Sequence, residues 1–499
     1  MAATPTTAVD SGTQAYSNVD TAGKFFLNRI TRGLRMALGL GALALFSACG
    51  GGGGEASVAA PVQLGAALPD AGDFIAIEQK SLSLSESSRT GTVQVSRLGA
   101  AEGMSSVNYR FIAGSADASA DFRGSDGTLS WSEGDTGSKT ISFIVESDIV
   151  AENTEDFRIE ISGVNGQESL GINDSVTITL EDAPCSAVFP ASVGSNTVLS
   201  APCYRLQQNA TVAGSAQLKV AAGTTIIADD AMSISLKGQS TLSMEGEEKL
   251  PVFVKSASGL AGSWDGIRLQ SSSALHRVKH TELKGAVNAF DLSSGGFALF
   301  NNNALIDNTG AGVKLPLADA ETLGIENRFT ATTRGIELFG NGIDAGQTVR
   351  LPAQSTHYVL SNGLINKGTL ELAAGTNLRM AADVNVLVLN TGVINAIGTA
   401  EMPITIEGLQ ASAGYWDGIQ YVSSNSANNR YEHVRISHGG GDPARNGNII
   451  VDGLGTRITL QHCVLTHSAG FGLVYDSGDF QVDMTEVTFE QNRLGDQSL

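Results

Sequence analysis

The chain repeats itself at long range, and that repeat limits the folds open to it. Leu218-Lys219-Val220-Ala221-Ala222-Gly223-Thr224 recurs as Leu370-Glu371-Leu372-Ala373-Ala374-Gly375-Thr376. Trp264-Asp265-Gly266-Ile267 recurs as Trp416-Asp417-Gly418-Ile419, and Pro251 recurs as Pro403. All three pairs lie 152 residues apart. A later pair, Gly310-Ala311-Gly312-Val313 and Gly470-Phe471-Gly472-Leu473, lies 160 apart, and an insertion around 438–447 accounts for most of the added length. Inside each copy, apolar runs recur roughly every 20 residues, a period at which each unit is too small to bury its own hydrophobic face and must stack on its neighbours.

One such unit reads Thr369-Leu370-Glu371-Leu372, then Asn377-Leu378-Arg379-Met380, then Val384-Asn385-Val386-Leu387-Val388, with Gly and Asn between the runs. Three short strands per turn with Gly/Asn corners predict a parallel β-helix over 190–499, in copies of about 204–350 and 357–499. The Leu-x-Leu-x-Ala-Gly-Thr, Pro-Ile-Thr-Ile and Trp-Asp-Gly-Ile segments resemble the right-handed β-helix proteins of the pectate-lyase-like class. That resemblance implies a fold and no particular reaction.

The preceding stretch, 72–183, has a different rhythm. Short runs such as Thr92-Val93-Gln94-Val95, Ile141-Ser142-Phe143-Ile144-Val145, Phe157-Arg158-Ile159-Glu160-Ile161 and Val176-Thr177-Ile178-Thr179-Leu180 alternate apolar and polar residues, with turn residues between them. Alternation at period two without a helical stretch predicts an antiparallel Ig-like β-sandwich. The whole chain therefore reads as all-β: a sandwich followed by a parallel β-helix of two tandem copies.

Acidic residues fall where the sandwich strands end: Glu86, Asp121, Asp148, Glu152, Glu155, Glu181 and Asp182. Loops of a sandwich gather at its two ends, and six to eight hard oxygens are what Ca²⁺ requires. The order Ser83-Leu84-Ser85-Glu86, Gly91-Thr92-Val93-Gln94-Val95-Ser96-Arg97, Ala120-Asp121-Phe122, Gly127-Thr128-Leu129-Ser130-Trp131, Glu133-Gly134 and Asp148-x3-Glu152-x2-Glu155-x-Phe157 resembles the Calx-beta family. The family includes regulatory calcium-binding modules of sodium–calcium exchangers and many bacterial surface proteins. The resemblance implies Ca²⁺ as cofactor and carries the ligand role to the seven acidic residues just named. Ser147 and Ala183 stand where the family often has further acids, which argues for one ion or weak sites rather than a full multi-ion cluster.

The N-terminus carries an address. Lys24, Arg29, Arg32 and Arg35 precede the apolar run Met36 to Ala48, which is too short to span a bilayer and suits a signal peptide. It ends Leu45-Phe46-Ser47-Ala48-Cys49, which resembles the bacterial lipobox and implies lipidation at Cys49. Residues 1–48 then form an extension and signal, and 49–71 a Gly-rich tether. Gly50, rather than Asp, follows the Cys, which in that family points to the outer membrane. The expected location is the bacterial cell envelope, with the membrane as partner through the lipid. In such an oxidising compartment Cys185 and Cys203 are placed to form a disulfide closing a short loop, and Cys463, in an apolar run, reads as a buried thiol.

Composition narrows the function. The net charge is −20 with no Lys/Arg run outside the N-terminus, which argues against a nucleic-acid partner. No P-loop, dinucleotide fingerprint, Gly-x-Ser-x-Gly or zinc pattern is present. Trp264 and Trp416 read as covers of the coil stack rather than sugar platforms, because a duplicate at equal offset favours structure. Asn301-Asn302-Asn303 reads as a polar ladder. His433, His438, His462 and His467 sit at spacings compatible with neighbouring coils; they read as corner residues, with transition-metal binding through imidazole the alternative. The expectation is a cell-surface lipoprotein, rather than a soluble cytosolic enzyme, with a calcium-binding module and a β-helix that presents a face to a polysaccharide or surface protein; the alternative is a polysaccharide lyase or hydrolase acting through the β-helix. Replacing Cys49 with Ser is expected to release the protein from the membrane fraction; equal fractionation of both forms would end the anchor assignment.

Overall fold

The computed structural model describes residues 73–118, 120–150 and 152–498; the signal, Cys49 and the tether lie outside them. Ten strands build the sandwich: β1 (Phe74–Ile77), β2 (Ser81–Ser85), β3 (Thr90–Leu98), β4 (Ser105–Ala113), β5 (Phe122–Arg123), β6 (Gly127–Trp131), β7 (Lys139–Val145), β8 (Glu155–Asn165), β9 (Ser169–Leu170) and β10 (Ser175–Glu181). One sheet has the order β5-β7-β3-β1-β9 and the other β2-β10-β8-β4-β6. Antiparallel pairing dominates, as the alternation predicts. Two pairs depart from it: β1 with β9 and β2 with β10 run parallel, each at a sheet edge. The alternating residues face inward: Val93, Ile141, Phe157, Ile159 and Ile178 are buried. Phe122 stacks on Phe157 with ring centroids 3.7 Å apart.

The β-helix begins at Ala187–Val188 and continues to Gly495–Ser498. Its strands pair in parallel, coil upon coil. On one face, successive strands begin at 203, 225, 252, 281, 304 and 328, so the coils are longer and less even than the expected repeat. A sheet of 13 strands runs the full length of the stack, flanked by sheets of seven and five strands in the first half and seven and six in the second. One continuous core fills the interior.

The two sequence copies are out of phase by one face. The offset of 152 maps Thr225–Ala228 onto Asn377–Met380. In the first copy Thr225–Ala228 lies in the flanking seven-stranded sheet, and the next strand, Ser233–Gly238, lies in the long sheet. In the second copy Asn377–Met380 itself lies in the long sheet. The change occurs around the short 3₁₀ segment Leu317–Thr322 and the strands Gly342–Ile343 and Thr348–Leu351, where one flanking sheet ends and another starts. A repeat counted in residues need not be a whole number of turns, so stacking continues while the copies rotate.

The duplicated Trp-Asp-Gly segment is a corner, as expected. Trp264 and Trp416 are fully buried and donate their indole N–H to Lys284 O and Ser437 O at 3.1 and 2.8 Å. Gly266 and Gly418 have φ of 97° and 114°, and a Cβ there would lie 1.7 Å from Asn288 O and 2.3 Å from Gly447 O; only glycine fits. The disulfide Cys185–Cys203 is formed, with Cα atoms 5.3 Å apart, and joins the exit of the sandwich to the second coil. Cys463 is a buried free thiol.

Candidate metal centre

Each acidic residue at the sandwich tip is delivered by the place where a strand runs out. Glu86 opens a 3₁₀ turn, Glu86–Ser88, capped by Ser85, whose Oγ accepts the N–H of Ser87 at 3.3 Å. Asp121 precedes β5, and its carboxylate accepts the N–H of Asp117 at 2.6 Å. Asp148 follows β7 and accepts the N–H of Val150 at 2.8 Å. Glu155 is the first residue of β8, and Asp182 follows β10. Ser147 is buried and donates to Glu86 O at 2.9 Å, tying two of these loops together.

Asp121, Glu152 and Glu155 converge: each offers a carboxylate oxygen, and the three lie within 4.8 Å of one another. Glu86, Asp148 and Asp182 stand beside this group and act on it through charge, with Glu152 between the two sets. Glu181 is not brought in. Leu180 faces the core, so its neighbour faces out, and Glu181 accepts the hydroxyl of Ser83 at 2.9 Å on the exposed side. Sequence reading missed Asp117, whose charge adds to the group; its Asp-x3-Asp spacing in an Ser/Ala-rich turn was the available signal.

Crowding shows in the protonation of the group. Burial pushes the Glu86 carboxyl up to about 7, against the N–H of Ala183 and reinforced by the charges of Asp148, Asp182 and Glu152. Glu155 is held up at about 7 by a hydrogen bond to Asp121, then by burial and the charges of Asp121, Glu152 and Asp117. Burial and the charges of Asp148, Asp121 and Asp182 also raise Glu152. One oxygen of Asp182 is buried without a hydrogen-bond partner. An all-carboxylate donor set with an orphaned oxygen fits a hard divalent cation and suits Ca²⁺ better than metals that prefer nitrogen or sulfur.

The other candidates behave differently. The rings of His433 and His462 stack 4.6 Å apart, and His462 Nδ1 lies 2.9 Å from Glu486. His438 and His467 lie 5.5 Å apart, tilted, and burial lowers the pKa of His438. All four have left-handed φ, as do Gly285 and Asp307, which the repeat sets opposite His438 and His467. They are corner residues, and among the described residues no His, Cys, Asp or Glu trio of the β-helix closes to metal-ligand distance. The Asn ladder runs through Asn303 and continues into the next coil: Asn303 donates to Asn327 at 3.1 Å, and both are buried. The first copy also carries an open groove of about 520 Å³ lined by Glu248, His280, Asn302, Glu326 and Arg328, among others.

Residues 69–184 match the Calx-beta domain family. That stretch is a Calx-beta domain. The zebrafish (Danio rerio) adhesion G-protein coupled receptor V1 is 35% identical over 96 residues, 19% of this chain and 2% of the receptor, so the chain spans a small fraction of that relative. Among solved structures, the apo-form Calx CBD1 domain matches at 26% identity and a TM-score of 0.22, covering 22% of this chain and 97% of that one. The catalytic domain of a GH87 alpha-1,3-glucanase in complex with tetrasaccharides matches at 10% identity and a TM-score of 0.33, covering 82% of this chain and 88% of that one.

The raised carboxyls give the Calx-beta domain a pH signature. Glu86 and Glu155 keep their protons to about pH 7 in the fold, against 4.5 ordinarily. The folded state therefore binds more protons between these values, and calcium-free stability falls as pH rises through that window. Calcium needs the deprotonated carboxylates, so its stabilising effect should grow over the same range. Melting curves at about pH 5.5 and 8, in chelator and in calcium, check both signs. A calcium effect equal at the two pH values would contradict this assignment.

Proposed function

We propose that this chain is a bacterial envelope lipoprotein, anchored through Cys49 to the outer membrane, whose Calx-beta domain binds Ca²⁺ and whose β-helix serves as a binding scaffold at the surface. The observation that carries the calcium half is the convergence of Asp121, Glu152 and Glu155, with Glu86, Asp148 and Asp182 beside them. Backbone carbonyls and water would complete the shell. The scaffold half rests on the long stacked surface of the β-helix, which offers a repeating polar face to a polysaccharide or to a surface protein.

A second reading has one observation in its favour. The groove of the first copy sets two carboxylates, Glu248 and Glu326, near Arg328, with Asn302 donating to Glu326 at 3.0 Å. Paired carboxylates and a basic residue are the equipment of a polysaccharide lyase or hydrolase, as in enzymes of the pectate-lyase-like class. A glycan panel assayed for binding and for cleavage separates the readings: binding without cleavage supports the scaffold, and cleavage abolished by Glu326→Gln supports the enzyme.

For calcium, the expected affinity is that of extracellular modules, about 10⁻⁴ to 10⁻³ M. Calcium at about 100 times the dissociation constant should add roughly 2.7 kcal/mol to the folded state by mass action, read as a rise in the melting temperature of the Calx-beta domain within the mature chain. Glu152→Gln should remove most of that rise and leave the fold in place, since Glu152 stands between both sets of acids. Magnesium should do less, because its small octahedral shell suits a carboxylate cluster poorly. No calcium-dependent heat or stabilisation would leave the domain as a spacer.

A further inference from the structure

The acidic tip of the sandwich is also the end that meets the β-helix, and its loops run straight into the junction. Three residues after Glu86, Arg89 donates to Ala222 O at 3.2 Å and to Ser200 O at 2.5 Å. Two residues after Asp121, Arg123 reaches both oxygens of Glu282 at 2.8 Å and Glu146 at 2.7 Å, and its guanidinium lies 4.8 Å from the ring centre of Phe253. Phe253 and Glu282 are register partners on adjacent β-helix strands, so Arg123 lands on one cross-strand pair. Asp148 offers its carbonyl to the N–H of Cys185 at 2.8 Å, and Cys185 is bonded to Cys203.

Glu146 links the two halves of this arrangement. Its carboxylate is wholly buried between Arg123 of the sandwich and Lys255 of the β-helix, the latter at 3.3 Å. Its N–H donates to Asp121 O at 2.8 Å. Anything that moves Glu146 or Arg123 therefore moves the backbone that carries Asp121.

We propose that Lys255 and Glu282, on the β-helix, are positioning residues for the calcium centre of the sandwich, so that calcium binding and docking of the two domains strengthen each other. The proposal rests on the calcium reading above. They act through Arg123 and Glu146, which set the Asp121 loop in ligand geometry. Linkage makes the effect reciprocal: whatever docking adds to calcium affinity, calcium adds to docking.

Electrostatics alone predicts the opposite sign for one variant, which makes the test sharp. Lys255 is positive, and removing a positive charge near a cation site should tighten calcium binding. Positioning predicts that Lys255→Met weakens it, by about fivefold or more at the lower end of typical coupling energies, and that Lys255→Arg restores it. Arg123→Lys keeps the charge but cannot hold Glu282 and Glu146 through two separate nitrogens, as Nη1 and Nε do, so electrostatics predicts no change and positioning predicts weakening; this variant serves if Lys255→Met does not fold. Calcium titration calorimetry on the mature chain reads the affinities. Hydrogen exchange in parallel should show calcium slowing amides at 121–123, 146–148 and 185–189. Affinity unchanged or tighter in Lys255→Met, or unchanged in Arg123→Lys, overturns the proposal while leaving the calcium site standing. A wild-type chain that takes up no calcium overturns the calcium reading, and this proposal with it.

Discussion

A buried carboxylate sets the terms on which the two halves of this molecule meet. Glu146 has no exposed side chain, and a carboxylate taken from water without a partner costs several kcal/mol. Its partners come from both sides: Arg123 from the sandwich and Lys255 from the β-helix. Separating the domains would strip Glu146 of one cation and Arg123 of Glu282. Breaking a buried pair by removing one partner typically costs about 3–5 kcal/mol, so the junction is held by charge as well as by the disulfide.

The same end of the sandwich collects negative charge that this pairing does not neutralise. Arg123 and Lys255 answer Glu146 and Glu282, while Asp121, Glu152 and Glu155 have one another for neighbours. The fold tolerates the cluster by keeping protons on Glu86 and Glu155 to about pH 7. On the calcium reading proposed above, a divalent cation would do the same service at higher pH and add direction, by holding the carboxylates of Asp121, Glu152 and Glu155 to one point. The Calx-beta domain thus places its unsatisfied charge against its neighbour in the chain, where satisfying it has structural consequences.

Much of this was legible in the sequence, and the reasons differ by feature. The β-helix was legible because its signal is local and repeated: Trp264 and Trp416, with Gly266 and Gly418 behind them, mark the same corner twice. The rotation of the second copy was not, because an offset of 152 counts residues and carries no information about faces. Six of the seven acids gather at the tip because they stand where alternation stops. Glu181 does not, and Val176, Ile178 and Leu180 already placed it on the outer face. Arg123, Glu146, Lys255 and Glu282 were invisible. They are brought together from two domains by docking, and no spacing or motif in the chain records that meeting.

The central claim is that the sandwich tip is a calcium centre built into the junction. The most direct measurement is an anomalous difference map from crystals of the mature protein grown in millimolar calcium at about pH 8, above the range in which Glu86 and Glu155 hold protons. The account predicts a peak with carboxylate oxygens of Asp121, Glu152 and Glu155 at about 2.3–2.6 Å. A map with no peak there, Glu155 still hydrogen-bonded to Asp121, would contradict it.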